Sequence, residues 1–360
     1  MIQAQEELIQ LTKKLITFQT VSDDPEAMRG CLDFIEDYLS GNSLTLRRFD
    51  VNGTPSLLVS TAKTNTPTLC LNGHIDVVGG SPDQFTPTIR SGRIYGRGAI
   101  DMKASIAAMM LLLKTYRGKN SIAAMFVSDE ESDGEKGTKY ILDQGFRPQC
   151  TIVTEESNFD ITVKQKGGFV ISVKTSGRKA HSSEPWKGVN AIDKAIGFYS
   201  DLRETVEKIS SPDYPSTVTL GAFHGGDDPC FVADRASLKA DIRFPDAKAG
   251  ELIREALLSL GKQYHANITY LSKKNIMESS GCERQITLLS NLICDAVGRK
   301  PMLKKASYSG DGRFFTELSL PAVEFGPIGK NYHAQNEYVE IQSLNTYYEI
   351  LHTFCRVLRA

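Results

Sequence analysis

No stretch of this sequence is apolar for long enough to cross a membrane. The longest such run, Ile106–Leu113, falls far short of the roughly 20 residues a spanning helix needs, and it reads as a buried helix. Basic runs are missing as well: 42 Lys plus Arg stand against 43 Asp plus Glu, a net charge of −1, which leaves no phosphate-binding stripe and argues against a nucleic-acid partner. The seven cysteines, at 31, 70, 150, 230, 282, 294 and 355, are odd in number and contain no CxxC pair. That usage fits reduced thiols rather than a disulfide framework. The first 18 residues lack the apolar core and small-residue cleavage site of an export signal, while Leu8, Leu11, Leu15 and Ile16 recur at helical spacing. A cytoplasmic location is the expectation. The glycines of GRGAIDMK match neither GxGxxG nor a terminal GK[ST], so they form no phosphate loop. Their role is to turn the chain sharply into the helix that carries Ala104 to Leu113. Internal repeats and low-complexity tracts are also absent.

What is present suggests two domains, because 360 residues exceed what one core usually serves. Apolar residues at 41% and charged residues at 24% are ordinary for a folded globular chain. Up to about residue 160, helical patterns alternate with short apolar runs, which predicts a mostly parallel sheet with covering helices. Thr68–Leu71, Ser121–Val127 and Thr151–Thr154 read as buried strands, each followed at once by histidine or acidic residues. Open α/β sheets leave a crevice beyond the carboxyl ends of their strands, so chemistry is expected there. The pattern then changes: 161–175 and 216–243 alternate like half-exposed strands around helical stretches at 189–208 and 249–262. This predicts an inserted α+β domain over 165–273. Helix at Gln285–Val297, strand at Ala322–Phe325 and a closing helix at Ile341–Leu358 return the chain to the first domain, 1–164 plus 274–360.

The candidate ligands fall at five places: His74 and Asp76 in GHID, Asp101 in GRGAIDMK, Glu130 and Glu131 in SDEES, Glu155 in VTEES, and His333 in NYHAQNEYV. Stacked acids beyond strand ends repel one another and need a cation. Imidazole with carboxylates and no thiolate suits zinc in a catalytic site with an open position; cobalt or manganese fits the same donors.

The motifs GHIDVV, IYGRGAIDMKAS, SDEESDGEKGTK, HSSEPWKGVNAI, KADIRFP, SGDGRF and YHAQNEYV, in this order over nearly the whole chain, resemble those of a known family. It is the dinuclear zinc hydrolase family of acetylornithine deacetylase, succinyl-diaminopimelate desuccinylase, aminoacylase and glutamate carboxypeptidase. The resemblance implies an α/β, zinc-peptidase-like fold, a mostly parallel mixed sheet plus an inserted ferredoxin-like lid and dimerisation domain. It implies two zinc ions bridged by Asp101, with His74 and Glu155 completing one site and Glu131 and His333 the other. Glu130 is then the general base, and Asp76 orients His74 or caps the following turn. His181 reaches a partner subunit's site in a homodimer, and Arg243 and Arg313 are the candidates to hold the substrate carboxylate. Relatives commonly have Glu-Pro where this chain has Glu155-Glu156, which leaves either acid as the ligand, with the following KQKGG favouring Glu155. The substrate implied is a small N-acyl amino acid of the N-succinyl-diaminopimelate or N-acetylornithine type. The subgroup motifs conflict, and Cys230 occupies a place where relatives usually have a substrate-touching asparagine. A dipeptidase or aminoacylase shares every metal ligand, whereas a non-catalytic binding protein would typically lack Glu130.

Overall fold

The computed structural model describes residues 2–22 and 24–358. The chain divides into two compact units, one of residues 1–163, 278–304 and 310–360, the other of 164–277 with 305–309. Among the described residues no helix is long and apolar enough to cross a membrane, and all seven cysteines are free thiols.

The first unit is built on a mixed sheet whose central strands are parallel. Ile122–Val127 pairs with Leu69–His74, Leu69–His74 with Thr151–Val153, and Thr151–Val153 with Ala322–Glu324. Every residue of these strands is buried, as expected of parallel strands with both faces covered. An antiparallel hairpin, Thr45–Val51 with Thr54–Ser60, extends the sheet beside Ile122–Val127. Helix Ala104–Thr115 is buried from Ala104 through Leu113, apolar all round as an interior helix must be. The amphipathic helices Ile2–Ile16, Pro25–Leu39 and Ile341–Val357 contribute to the same core. Helix Pro25–Leu39 starts where Asp24 accepts from the amides of Glu26 and Ala27 at 3.1 and 3.0 Å, with Pro25 at its first turn.

Parallel pairing decides where the chemistry goes. His74 stands opposite Val127 and Asn72 opposite Val153, so all three strands end on one edge. The residues that follow them, 75–76, 128–131 and 154–155, are delivered to the same crevice. A second, smaller sheet of Gly329–Lys330, Tyr338–Glu340, Arg93–Tyr95 and Thr88–Arg90 joins the loop before Asp101 to the loop carrying His333.

The second unit is a four-stranded antiparallel sheet ordered Thr217–Gly225, Arg235–Phe244, Gly167–Ser176, Asn267–Lys274. Helices Ala191–Ile209 and Ala247–Gln263 cover it, giving the split βαβ order of a ferredoxin-like unit. Ala191, Ala195, Phe198, Leu202 and Val206 recur every three or four residues and bury one helix face. Asn190 and Asp246 cap the two helices through the amides of Ile192 and Ala249, at 2.9 and 2.8 Å.

Candidate metal centre

Five side chains of the first unit meet beyond the parallel strand ends. His74 Nε2 lies 3.1 Å from Asp101 Oδ1 and 3.2 Å from Glu155 Oε1. His333 Nε2 lies 3.0 Å from Asp101 Oδ2 and 3.1 Å from Glu131 Oε1. Asp101 therefore offers one oxygen to each group, and within each triad the donor atoms lie within 4.8 Å of one another. The two groups differ in access: the His74 side chain is 2% exposed and that of His333 47%. Glu155, and not Glu156, reaches the His74 group.

The loop around Asp101 is held by a residue the sequence reading passed over. Glu337, buried, accepts from the amides of Gly98 at 2.9 Å, Ile100 at 3.0 Å and Asp101 at 3.2 Å, and from Arg97 Nη1 at 2.8 Å. Gly98 turns the chain with φ of 76°, where an added Cβ would sit 2.7 Å from Val77. Arg97 also donates to the carbonyl of His333 at 3.4 Å, and Gln84 to that of Ala334 at 3.1 Å. His333 is held at φ of 60°, a left-handed conformation that a non-glycine residue keeps only when its surroundings enforce it. Replacing Glu337 by Ala strands the buried Arg97 charge and three amides, an expected loss of about 3–5 kcal/mol of stability. Urea denaturation of the metal-free protein checks this; an unchanged midpoint contradicts it.

Asp76 touches both His74 and the turn that carries Glu130 and Glu131. Its backbone carbonyl accepts from His74 Nδ1 at 2.9 Å, leaving Nε2 as the nitrogen available to a cation. Its carboxylate accepts from the amides of Glu130 and Glu131 at 3.4 and 3.0 Å, fixing the turn that carries these neighbours. Asp129 closes the same turn by accepting from the amides of Lys136 and Gly137 at 2.7 and 3.1 Å.

Protonation tests whether this donor set fits cations. Burial, and then the charges of Asp101 and Glu131, push Glu155 up to about 7 against the opposing pull of His74. Burial pushes Glu130 well above the ordinary carboxylate range, His74 opposing it and Glu155, Asp311 and Asp76 adding to it. Hydrogen bonds to Asp101 and Glu131 raise His333 to about 10. The shell thus holds protons where divalent cations would otherwise balance its charge, and two imidazoles with four surrounding carboxylates fit such ions. Metal binding has to displace these protons, so affinity is expected to climb as pH rises from 6 toward 10, by about tenfold per unit for each proton displaced. Chelator competition at several pH values measures it; a flat profile contradicts it.

The other predicted site residues are in neither triad. Arg313, in the first unit, is buried and donates to the backbone carbonyls of Gly310 and Asp133. His181, exposed, and Arg243 belong to the second unit. Arg243 is held in a two-pronged pair by Asp241, both contacts at 2.7 Å, and donates to Ser309 at 3.3 Å. His181 accepts at Nδ1 from the amide of Ser183 at 3.2 Å. Cys230 is exposed, its amide donating to Asp228 at 2.8 Å.

Comparison with known proteins places this geometry in context. Peptidase family M20/M25/M40 matches the chain over residues 70–357. A succinyl-diaminopimelate desuccinylase of Nautilia profundicola is 27% identical over 361 residues, covering 94% of this chain and 96% of the relative. One of Thiobacillus denitrificans is 28% identical over 366 residues, covering 94% and 91%. Among solved structures, a tripeptidase of Staphylococcus aureus superposes with a TM-score of 0.83 at 20% identity, covering 98% of each chain.

Proposed function

Because the chain belongs to peptidase family M20/M25/M40 and is a metal-dependent amidohydrolase, we propose that it hydrolyses the amide bond of a small N-acyl amino acid, of the N-succinyl-diaminopimelate or N-acetylornithine type. One observation carries the reading: two triads of donors share the Asp101 carboxylate, one oxygen to each. His74, Asp101 and Glu155 would hold one ion and Asp101, Glu131 and His333 the other, with zinc, or cobalt or manganese, suited to these donors. Two such ions, when bound, lower the proton affinity of water and polarise the amide carbonyl. Glu130 stands beside them on the turn that Asp76 fixes. As general base it takes the proton of the attacking water and returns it to the leaving amine as the amide breaks. The names of the desuccinylase relatives support the substrate class. The compartment that suits this chemistry is the cytoplasm, where thiols stay reduced.

His181, in the inserted unit, donates to the developing oxyanion, acting on a partner subunit in a homodimer formed through that unit, which also serves as the lid. Arg243 and Arg313 are the candidates for the substrate carboxylate; the engagement of Arg313 with backbone carbonyls makes Arg243 the better of the two. Removing His181 is expected to cut turnover by roughly two to three orders of magnitude. Mixing His181→Ala and Glu130→Ala proteins should restore activity, and mixtures as inactive as their components contradict action in trans.

The test is a panel of N-succinyl and N-acetyl amino acids against di- and tripeptides, with metal-loaded protein. Acylated amino acids are expected to be cleaved fastest, with activity lost to chelator and restored by zinc. Faster cleavage of peptides would assign a peptidase, and no hydrolysis across the panel would overturn the reading.

A further inference from the structure

The loop that carries Glu130 and Glu131 is crowded with acids. Asp129, Glu130, Glu131, Asp133 and Glu135 fall within seven residues, and like charges so close together repel one another. Its shape is set in part by a distant segment of the first unit. Arg313, 3% exposed, donates through Nη1 to the carbonyl of Gly310 at 2.8 Å and through Nη2 to the carbonyl of Asp133. Asp311, 1% exposed, accepts from the hydroxyl of Thr138, where the loop ends. Thr138 in turn accepts from Asn72 Nδ2 at 2.8 Å, and Asn72 lies on strand Leu69–His74, two residues before His74. Between these two contacts the loop packs closely on 311–314. Gly134, at φ of 67°, has no room there for a side chain: a Cβ would lie 2.3 Å from Asp311 Oδ1 and 2.7 Å from Phe314 Cε2.

The grip of Arg313 reaches Glu130 and Glu131 through the backbone. The carbonyl of Asp129 accepts from the amides of Ser132, Asp133 and Gly134 at 3.2, 3.1 and 2.8 Å, so 129–134 is one closed turn, and Asp133 is its point of attachment. A guanidinium suits this task because its rigid fork spans two carbonyls of different segments, where an ammonium meets them only as a point charge. We propose that Arg313, supported by Asp311, is a positioning residue for the metal centre. It holds no ion and no substrate; it fixes the turn from which Glu131 serves as ligand and Glu130 as base. The inference rests on the roles given above to these two glutamates.

The probe is zinc, added to metal-free full-length protein in competition with a chelator, with Arg313→Met, Arg313→Lys and Thr138→Val compared with the parent. Expected in Arg313→Met is a loss of about 10–100-fold in the affinity of one ion while the other changes little. Arg313→Lys keeps a donor and falls between Arg313→Met and the parent. In a His333→Ala background, where only the His74 triad remains complete, Arg313→Met leaves the zinc affinity within about threefold. General destabilisation would not single out one ion in this way. Circular dichroism identifies a variant that has not folded. If Arg313→Met is one, Thr138→Val, which removes the hydroxyl between Asn72 and Asp311, decides by the same selective loss. With an acylated amino acid as substrate, Arg313→Met lowers kcat at unchanged KM and adds little to the loss in Glu130→Gln protein. Equal weakening of both ions, or of neither, in folded protein overturns the proposal. A raised KM at unchanged kcat gives Arg313 to the substrate and overturns it too. If no acylated amino acid is cleaved, the hydrolytic reading fails, and the zinc titration still decides this one.

Discussion

A Glu130→Gln protein is expected to bind metal like its parent and to lose turnover by about 10²–10⁴-fold. Glutamine fills the same space and leaves the turn intact, because that turn is made by the Glu130 and Glu131 amides on Asp76 rather than by the Glu130 side chain. What it cannot do is take a proton from water and return it to an amine. None of the close donor contacts at the two triads involves Glu130, so metal content separates its role from theirs. Loss of metal together with activity would make Glu130 a ligand, and retained activity would remove it from the mechanism. Steady-state hydrolysis with metal analysis of the same sample measures both.

Asp101→Ala is expected to empty both sites, whereas His333→Ala empties one. The asymmetry follows from the geometry: Asp101 Oδ1 faces His74 and Oδ2 faces His333, while each histidine serves a single triad. Removing the shared carboxylate also takes away the nearest negative charge from two imidazoles whose proton affinities it raises. In the alanine variant both histidines should titrate closer to their ordinary range, visible by NMR in metal-free protein. Hydrolysis should fall to background. An Asp101→Ala protein that still holds two ions per chain contradicts the bridging assignment.

Some of this was legible because it is written locally. An apolar run followed at once by His, Asp or Glu specifies a buried parallel strand and the side chains beyond its end, as for His74, Glu131 and Glu155. The inserted α+β unit was legible because its strands alternate and its helices repeat every three or four residues. What escaped depends on contacts between distant parts of the chain. Glu337 and Arg97 are 240 residues apart, and no local pattern in one sequence joins them. The small sheet that links their loops consists of strands of two and three residues, too short for a periodicity to register. For Asp76 the sequence offered two roles as alternatives; that backbone carbonyl and carboxylate make separate contacts there is visible only in the fold. The pairing of Arg243 with Asp241 was readable, since the two stand two residues apart on one strand and point to the same face. For Arg313 no such signal existed, because its partners are backbone carbonyls.

The central claim is that one carboxylate is shared by two cation sites. Anomalous diffraction at the zinc edge, from crystals of protein loaded with zinc, tests it directly. Two peaks are expected, one among His74, Asp101 and Glu155 and one among Asp101, Glu131 and His333. A single peak, or peaks away from Asp101 in protein that still hydrolyses amides, would contradict the account.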